Sequence, residues 1–301
     1  MSLRIAVPTD DLLERLSDLD VEIVTWDGSG AQPDGNLDML VWPYTVSAAR
    51  LADLDVSRIG LVQAQSLGYD GVAEALPAGG VYANAIDVHE ASTAELAMAL
   101  ILAAQRNLDL HVRRQVESSW KAKWAPGLID RSVLLVGVGG IGSELLPRLA
   151  GFGADVVRVG TTARDDEHGH VHATTELPEL LPSADVVVVA VPLTEATTHL
   201  VDTAFLAAMA DGALLVNVAR GKVVDTAAVL AEEGRVRYAS DVFETEPLPA
   251  DHPIWTAPGV MVTPHVGGMS QTMPTRVEGL LRRQIARLEA GQDPDHVVVR
   301  A

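Results

Sequence analysis

Short apolar runs rich in β-branched residues alternate along the chain with longer stretches whose apolar residues recur three or four positions apart. Arg4 to Val7, Val21 to Thr25, Leu37 to Trp42, Ile59 to Gln63 and Val81 to Ala83 read as strands. Their spacing predicts βαβ units and a parallel sheet. From Glu90 to Glu117, Leu96, Leu100, Leu108 and Val112 recur at helical intervals among many alanines, which predicts one long helix. Apolar residues on several of its faces predict burial between domains or subunits, with a homodimer expected; the alternative is a helix packed only on its own domain. The alternation resumes after Trp124 to Gly127: Val133 to Val136, Val156 to Val159, Val186 to Ala190, Leu214 to Val218, Arg237 to Asp241 and Met261 to Thr263 read as a second parallel sheet. The valine run from Val186 to Val189 fits a strand covered on both faces by helices. A basic amphipathic pattern from about Thr272 to Ala290 is stopped by Gly291 and Pro294. Pro147, within the helix expected after Gly142, should bend it.

Composition narrows the class. A chain of 301 residues is long enough for two domains. With 48% apolar and 21% charged residues, it reads as a folded globular protein. A net charge of −19 repels phosphate backbones and anionic lipid, so nucleic acid and membranes are not expected partners. An anionic substrate would need a local cationic pocket, which directs attention to the arginines. The absence of cysteine excludes disulfides, thiolate metal sites and thiol nucleophiles. Met1 to Thr9 has neither the basic start nor the apolar run of a signal peptide, and no uninterrupted apolar run reaches the length of a membrane span. The expected location is cytoplasmic.

Gly137-Val138-Gly139-Gly140-Ile141-Gly142 follows an apolar strand and opens a helical pattern, the context in which G-x-G-x-x-G binds a dinucleotide. Gly137 permits the tight turn, Gly139 lets backbone approach the pyrophosphate, and Gly142 allows close packing of the helix. The phosphates would accept N–H groups at the positive helix end. An NAD site places Asp or Glu at the end of the next strand to bond the ribose hydroxyls. That end reads Val159-Gly160-Thr161-Thr162-Ala163-Arg164, and Asp155 lies at the strand's beginning. With no carboxylate to repel it, a 2′-phosphate would be held by Thr161, Thr162 and Arg164. NADP(H) is therefore expected in preference to NAD(H).

Three later segments carry polar residues at strand ends: Asn217 to Gly221 (NVARG), Asp241 to Pro249 (DVFETEPLP) and Thr263 to Gly268 (TPHVGG). Together with the glycine turn, and in this order, they resemble the D-isomer-specific 2-hydroxyacid dehydrogenases, a family that includes glyoxylate/hydroxypyruvate reductases and phosphoglycerate dehydrogenases. The resemblance spans essentially the whole chain. It implies an α/β fold of two Rossmann-like domains with parallel sheets and an active site in the interdomain cleft. Residues 1–92 with 272–301 would form a flavodoxin-like substrate-binding domain, and 93–271 the dinucleotide-binding domain. The implied catalytic residues are Arg220, Glu246 and His265. A guanidinium can bond both the carboxylate and the ketone of a 2-oxo acid. Histidine exchanges a proton near neutral pH, and a carboxylate paired with it favours its charged form.

The resemblance also places Ser66-Leu67-Gly68-Tyr69-Asp70 as the loop whose N–H groups hold the substrate carboxylate, a role that falls on Leu67 and Gly68. Trp42 and Tyr44, after the third strand, are expected either to line the substrate side or, equally, to pack in the core or at the rim. Asn84 and Ser92 to Glu95 match the start of the interdomain helix. Val191 and Pro192 should pass beside the cofactor ribose, Asp241 should meet the nicotinamide carboxamide or else cap the adjacent turn, and Ala219 and Gly267 complete the cofactor contacts. His168, His170 and His172 alternate as metal ligands can, but lie in a polar connection read as a solvated loop, and no metal is expected. The activity implied is interconversion of a small 2-oxo acid and its D-2-hydroxy acid, with His265 as proton donor. The alternative is an NAD(P)(H)-sensing interaction protein of the corepressor type. A formate-dehydrogenase-like reading is weaker, because that branch has glutamine at the position of Glu246.

Overall fold

The computed structural model describes residues 2–301; Met1, where the reading of the N-terminal segment begins, lies outside them. The chain divides into two units, one taking the segments up to His89 and from Ser270 to Ala301, the other running from Glu90 to Met269. No helix among the described residues is long and apolar enough to cross a membrane.

The first unit contains strands β1 (Arg4–Val7), β2 (Glu22–Thr25), β3 (Met39–Val41), β4 (Val62–Gln63), β5 (Val81–Ala83) and β14 (Val297–Arg300) in the order β14-β5-β4-β3-β1-β2. β1 to β5 are parallel, and β14 joins β5 antiparallel. The order β2-β1-β3-β4-β5 is that of flavodoxin-like sheets. Successive residues of one strand serve opposite faces. Ile5, Val7, Met39 and Val41 pack with Leu12 and Leu16 of α1 (Asp10–Leu16) and with Val277, Leu280, Leu281 and Ile285 of α9 (Met273–Glu289). Ala6, Leu40 and Val62 face Leu51, Leu54 and Val72, the last in the short helix α2 (Val72–Ala75). The basic amphipathic pattern near the end of the chain is thus α9, which covers one face of this sheet.

The second unit holds β6 (Ser132–Val136), β7 (Asp155–Gly160), β8 (Arg164–Asp166), β9 (Gly169–Ala173), β10 (Val186–Val189), β11 (Leu214–Asn217), β12 (Arg237–Ser240) and β13 (Val260–Val262), ordered β13-β12-β11-β10-β6-β7-β9-β8. All pairs are parallel except β8 with β9. Leaving aside edge strand β8, this is the doubly wound order whose direction reverses between β6 and β10, the switch point at which such sheets bind ligands. The valines of β10 are fully buried and divide between two clusters, Val187 and Val189 in one, Val186 and Val188 in the other. Helices α3 (Glu90–Gln105), α4 (Leu108–Val116), α5 (Gly140–Gly151), α6 (Leu177–Leu180), α7 (Thr203–Ala208) and α8 (Thr226–Ala231) complete the unit.

Two sequence expectations are corrected. The long helix from Glu90 to Glu117 is two helices, interrupted at Asn107, whose φ of 52° lies in the left-handed region. α3 has buried residues along its length and packs on α5, whereas α4 has none. The polar connection at residues 164–173 is a hairpin, not a loop. Its β9 extends the sheet through Val171, which is fully buried. Arg158, 5% exposed in mid-strand β7, clamps the hairpin turn with a two-point fork to Asp166 (2.7 and 2.9 Å) and a bond to Gly169 O. That pairing holds the Asp166 carboxyl down to about 2. His170 and His172 stand on the same hairpin strand but bond Asp165 and Glu176 respectively. Pro147 lies within α5, which continues through it to Gly151.

Candidate active site

The turn between β6 and α5 is shaped by what its glycines must avoid. Gly137 has φ +113°, and a Cβ there would overlap the carbonyl of Ala190, just beyond β10. A Cβ on Gly142 would overlap the Gly137 oxygen, and one on Gly140 would come within 2.6 Å of the Glu90 side chain. Gly139 differs: nothing lies within 4 Å of its Cβ position. The turn is therefore compressed on its protein side and open at Gly139, where Ile141 and Gly142 follow in a first helical turn without a side-chain cap. These residues fit the pyrophosphate of a dinucleotide, which would accept the uncapped N–H groups. Val191 and Pro192 continue from Ala190 on the neighbouring strand's end.

At the end of β7, Gly160 has no carboxylate beside it. Its Cβ position lies 3.0 Å from Arg164 Nη1, and the same nitrogen donates to Thr162 O at 3.3 Å. The Arg164 guanidinium is thus folded back over the strand end, while Thr161, Thr162 and Arg164 remain exposed. Asp155 opens the strand.

Arg220 follows β11 in a turn organised by Asn217, which is fully buried. The Asn217 amide donates to Arg220 O (3.1 Å) and its oxygen accepts from Ala219 N (3.0 Å). Ala219 is 3% exposed, and its carbonyl accepts from Arg220 Nη1 at 2.7 Å. The next residue, Gly221, has no room for a side chain, since a Cβ would overlap the Phe243 carbonyl. This contact seats the arginine turn directly on the segment that leads to Glu246. Neither Asn217 nor Gly221 was singled out as a site residue from sequence, although both lie in the motif.

Glu246 bridges two elements. Its Oε1 accepts from Phe243 N at 2.8 Å, and its Oε2 lies 2.5 Å from His265 Nδ1. The hydrogen bond to Glu246 raises the His265 pKa above its ordinary value against the effect of partial burial. For Glu246, burial acts upward but is outweighed by the bonds from His265 and Phe243 N, so its carboxyl sits below the ordinary value. The positive charge of Arg220 acts on both groups, lowering each. The three sequence-predicted catalytic residues are therefore brought together within this unit. With Nδ1 engaged, Nε2 is the His265 nitrogen left to meet a substrate.

His265 has φ +54°, a conformation that costs a non-glycine residue of order 1–3 kcal/mol and is found where surrounding structure enforces it. Asp241 supplies much of that enforcement. It is 2% exposed; its Oδ1 accepts from Thr263 Oγ1 and Val266 N, its Oδ2 from Gly267 N, and its carbonyl from His265 N. Its carboxylate, expected beside the carboxamide, is bonded by the histidine loop itself. Beside the pair lies a cavity of about 410 Å³, walled chiefly by Phe243, Pro247, Leu248, Trp255, Val262 and Pro264.

In the first unit, Leu67 and Gly68 lie in the loop after β4. Trp42 takes the core position, one of the two roles open to it from sequence. It is 5% exposed, packs 6.0 Å from Trp26, and donates its indole N–H to Val46 O. Its large ring is better accommodated in the sheet's apolar cover than at a polar rim. The neighbouring Tyr44, less buried, stacks on His89 at 5.6 Å.

The profile of the D-isomer specific 2-hydroxyacid dehydrogenase NAD-binding domain matches residues 98–267. The chain is 32% identical over 256 residues to a glyoxylate reductase of Korarchaeum cryptofilum, covering 80% of this chain and 76% of the relative. A D-isomer specific 2-hydroxyacid dehydrogenase family protein from Aeromonas salmonicida superposes with a TM-score of 0.86 at 24% identity, covering all of both chains. An NADPH-dependent glyoxylate/hydroxypyruvate reductase from Sinorhizobium meliloti, solved with NADP and malonate, is 26% identical with a TM-score of 0.81 and covers 100% of this chain and 98% of its own.

Proposed function

The chain belongs to the D-isomer specific 2-hydroxyacid dehydrogenase family, and we propose that it reduces a small 2-oxo acid to the D-2-hydroxy acid, using NADPH in preference to NADH. A bound nicotinamide dinucleotide would supply the hydride. The observation that carries the reading is the Glu246–His265 pair, 2.5 Å apart. A proton must reach the carbonyl oxygen as hydride reaches its carbon. An imidazolium kept charged by Glu246, with Nε2 uncommitted, is suited to deliver it. Arg220 binds the carboxylate and polarises the ketone. We assign the first unit, with Leu67 and Gly68, to the substrate and the second to the dinucleotide.

NADPH preference is supported by Gly160 where a ribose-binding acid would stand, with Arg164 folded over it. The Sinorhizobium meliloti relative, NADPH-dependent by its description, supports the same choice. We also read the protein as a homodimer. α4 and the segment after it expose Leu108, Val112, Val116, Trp120, Trp124 and Ile129, between 48% and 103% of each residue's surface, and this run of exposed large apolar side chains supports an interaction surface there.

The deciding assay follows NADPH and NADH oxidation with glyoxylate, hydroxypyruvate, pyruvate and bulkier 2-oxo acids. Turnover faster with NADPH is expected. No turnover with any of them, while the dinucleotide still binds, would overturn the enzymatic reading.

A further inference from the structure

A cavity of about 410 Å³ borders the Glu246–His265 pair, a size within the range that holds small-molecule ligands. Its walls all belong to the second unit. Six are apolar: Phe243, Pro247, Leu248, Trp255, Val262 and Pro264. Leu248 and Val262 pack on the buried cluster that contains Phe243, so one side of the cavity rests on the core of the unit. Trp255 is 47% exposed, but its indole N–H donates to Pro249 O at 2.8 Å, which ties the ring to the segment after Leu248. The remaining walls are Asp241, Glu246 and His265. Asp241 accepts from Thr263 Oγ1, Val266 N and Gly267 N, and Glu246 accepts from Phe243 N and pairs with His265 Nδ1. Both carboxylates and the indole N–H are therefore engaged within the protein. His265 Nε2 is the side-chain nitrogen of these walls left to meet a ligand.

Arg220 is not among the walls. A 2-oxo acid carries its carboxylate and its side chain on opposite sides of the ketone carbon. With the carboxylate at Arg220 and the ketone oxygen at His265, as in the proposed reaction, the side chain is the part of the substrate left for a cavity that His265 borders and Arg220 does not. We infer that the cavity takes the substrate's side chain, and that Leu248, Trp255 and Val262 make the preferred substrate a 2-oxo acid with an uncharged, branched or aromatic side chain. Glyoxylate has no side chain and would leave these walls without contact, whereas each methyl group buried against them gains affinity. A second carboxylate or a phosphate would enter a wall that holds two carboxylates and neither lysine nor arginine, so dicarboxylic and phosphorylated 2-oxo acids are disfavoured. Specificity is thus set by charge as well as by volume.

The inference rests on the proposed 2-oxo acid reading, and the test separates the two. Wild type is compared with Leu248→Phe and Val262→Phe, in which the added ring takes up cavity space. In wild type, kcat/KM should be about tenfold or more higher for 4-methyl-2-oxopentanoate than for pyruvate, the worth of added methylene groups in an apolar pocket, and lowest for 2-oxoglutarate. Binding is read without turnover by calorimetric titration, in the presence of NADPH, of oxamate and N-isopropyloxamate. These amides have the shapes of pyruvate and 4-methyl-2-oxopentanoate and are not reduced. N-isopropyloxamate should bind about tenfold or more tightly than oxamate, and the ratio should fall toward unity in both variants. Should one variant not fold, the other decides together with the wild-type ratio. Equal binding of the two oxamates, a ratio the variants leave unmoved, a higher kcat/KM for pyruvate or 2-oxoglutarate, or no binding of either oxamate overturns the side-chain pocket. Turnover of any 2-oxo acid in those cases leaves the reduction standing. A preference for N-isopropyloxamate that the variants abolish, with no turnover of any 2-oxo acid, overturns the reaction and supports the pocket.

Discussion

Glu246 holds His265 by one carboxylate oxygen while its other oxygen is bonded to the backbone of Phe243, so the acid that orients the imidazole is itself anchored. Reduction needs the charged imidazole, so its rate should be constant at low pH and fall as pH rises through the raised His265 pKa. Oxidation of the hydroxy acid should show the opposite limb. In Glu246→Gln the reduction limb should move to lower pH, as pH–rate profiles of kcat/KM would show; an unmoved limb would sever Glu246 from the proton step. The same shifts act on stability. The raised His265 contributes fully below its unfolded value, about 6.5, and its contribution is lost as pH rises through the folded value. The lowered Glu246 contributes above its unfolded value, about 4.3, and is lost as pH falls through the folded one.

Replacing His265 by alanine should lower turnover by about 10²- to 10⁴-fold, the usual loss for a general acid. NADP(H) affinity, read by fluorescence titration, should be retained. Retained turnover would remove His265 from the mechanism.

Gly221→Ala should damage the site without touching any charged group. The new methyl would overlap the Phe243 carbonyl, and overpacking of this kind costs about 1–3 kcal/mol. The expected outcome is a lower thermal midpoint together with a lower kcat, because the Arg220 turn must lift away from the segment bearing Glu246. A variant with wild-type midpoint and kcat would show that the two segments part freely.

Arg164→Ala should reduce kcat/KM with NADPH by about 10- to 100-fold, the range for a lost charge-assisted bond, and leave kcat/KM with NADH nearly unchanged. Equal loss with both cofactors would assign Arg164 to the hairpin rather than to the 2′-phosphate.

Changing Trp120 and Trp124 together to glutamate should shift the mass measured by light scattering from dimer to monomer. Wild type running as a monomer at all concentrations would dispose of the dimer instead.

Much of this arrangement was legible in the residues because each function leaves a local mark. The valines of β10 have one environment, buried on both faces, and read as a central strand; the glycine turn reads as it does because Gly137 and Gly142 meet backbone that tolerates no Cβ. What was not legible depends on partners distant in sequence or on few apolar atoms. The hairpin of β8 and β9 has Val171 as its only fully buried residue, and its other anchor, Arg158, looks out of place in a strand until Asp166 is beside it. The break at Asn107 lies between two stretches that share one helical period, so periodicity carries no sign of it. Trp42 and Asp241 each carried two readings from sequence for a common reason: a polar or aromatic residue at a strand end suits both a ligand and the protein's own loops. Here Val46 takes the indole N–H, and the histidine loop takes the Asp241 carboxylate.

The placement of α9 and β14 sets an order of events during synthesis. The first unit's sheet lacks its β14 edge, and one of its faces lacks the cover of α9, until residues 273–300 have been made. The second unit is a continuous segment completed earlier. Because a growing chain leaves the ribosome from its N-terminal end, the part that begins first is finished last. Its β5 edge stays unpaired and its apolar face uncovered until the intervening nucleotide-binding unit has been made.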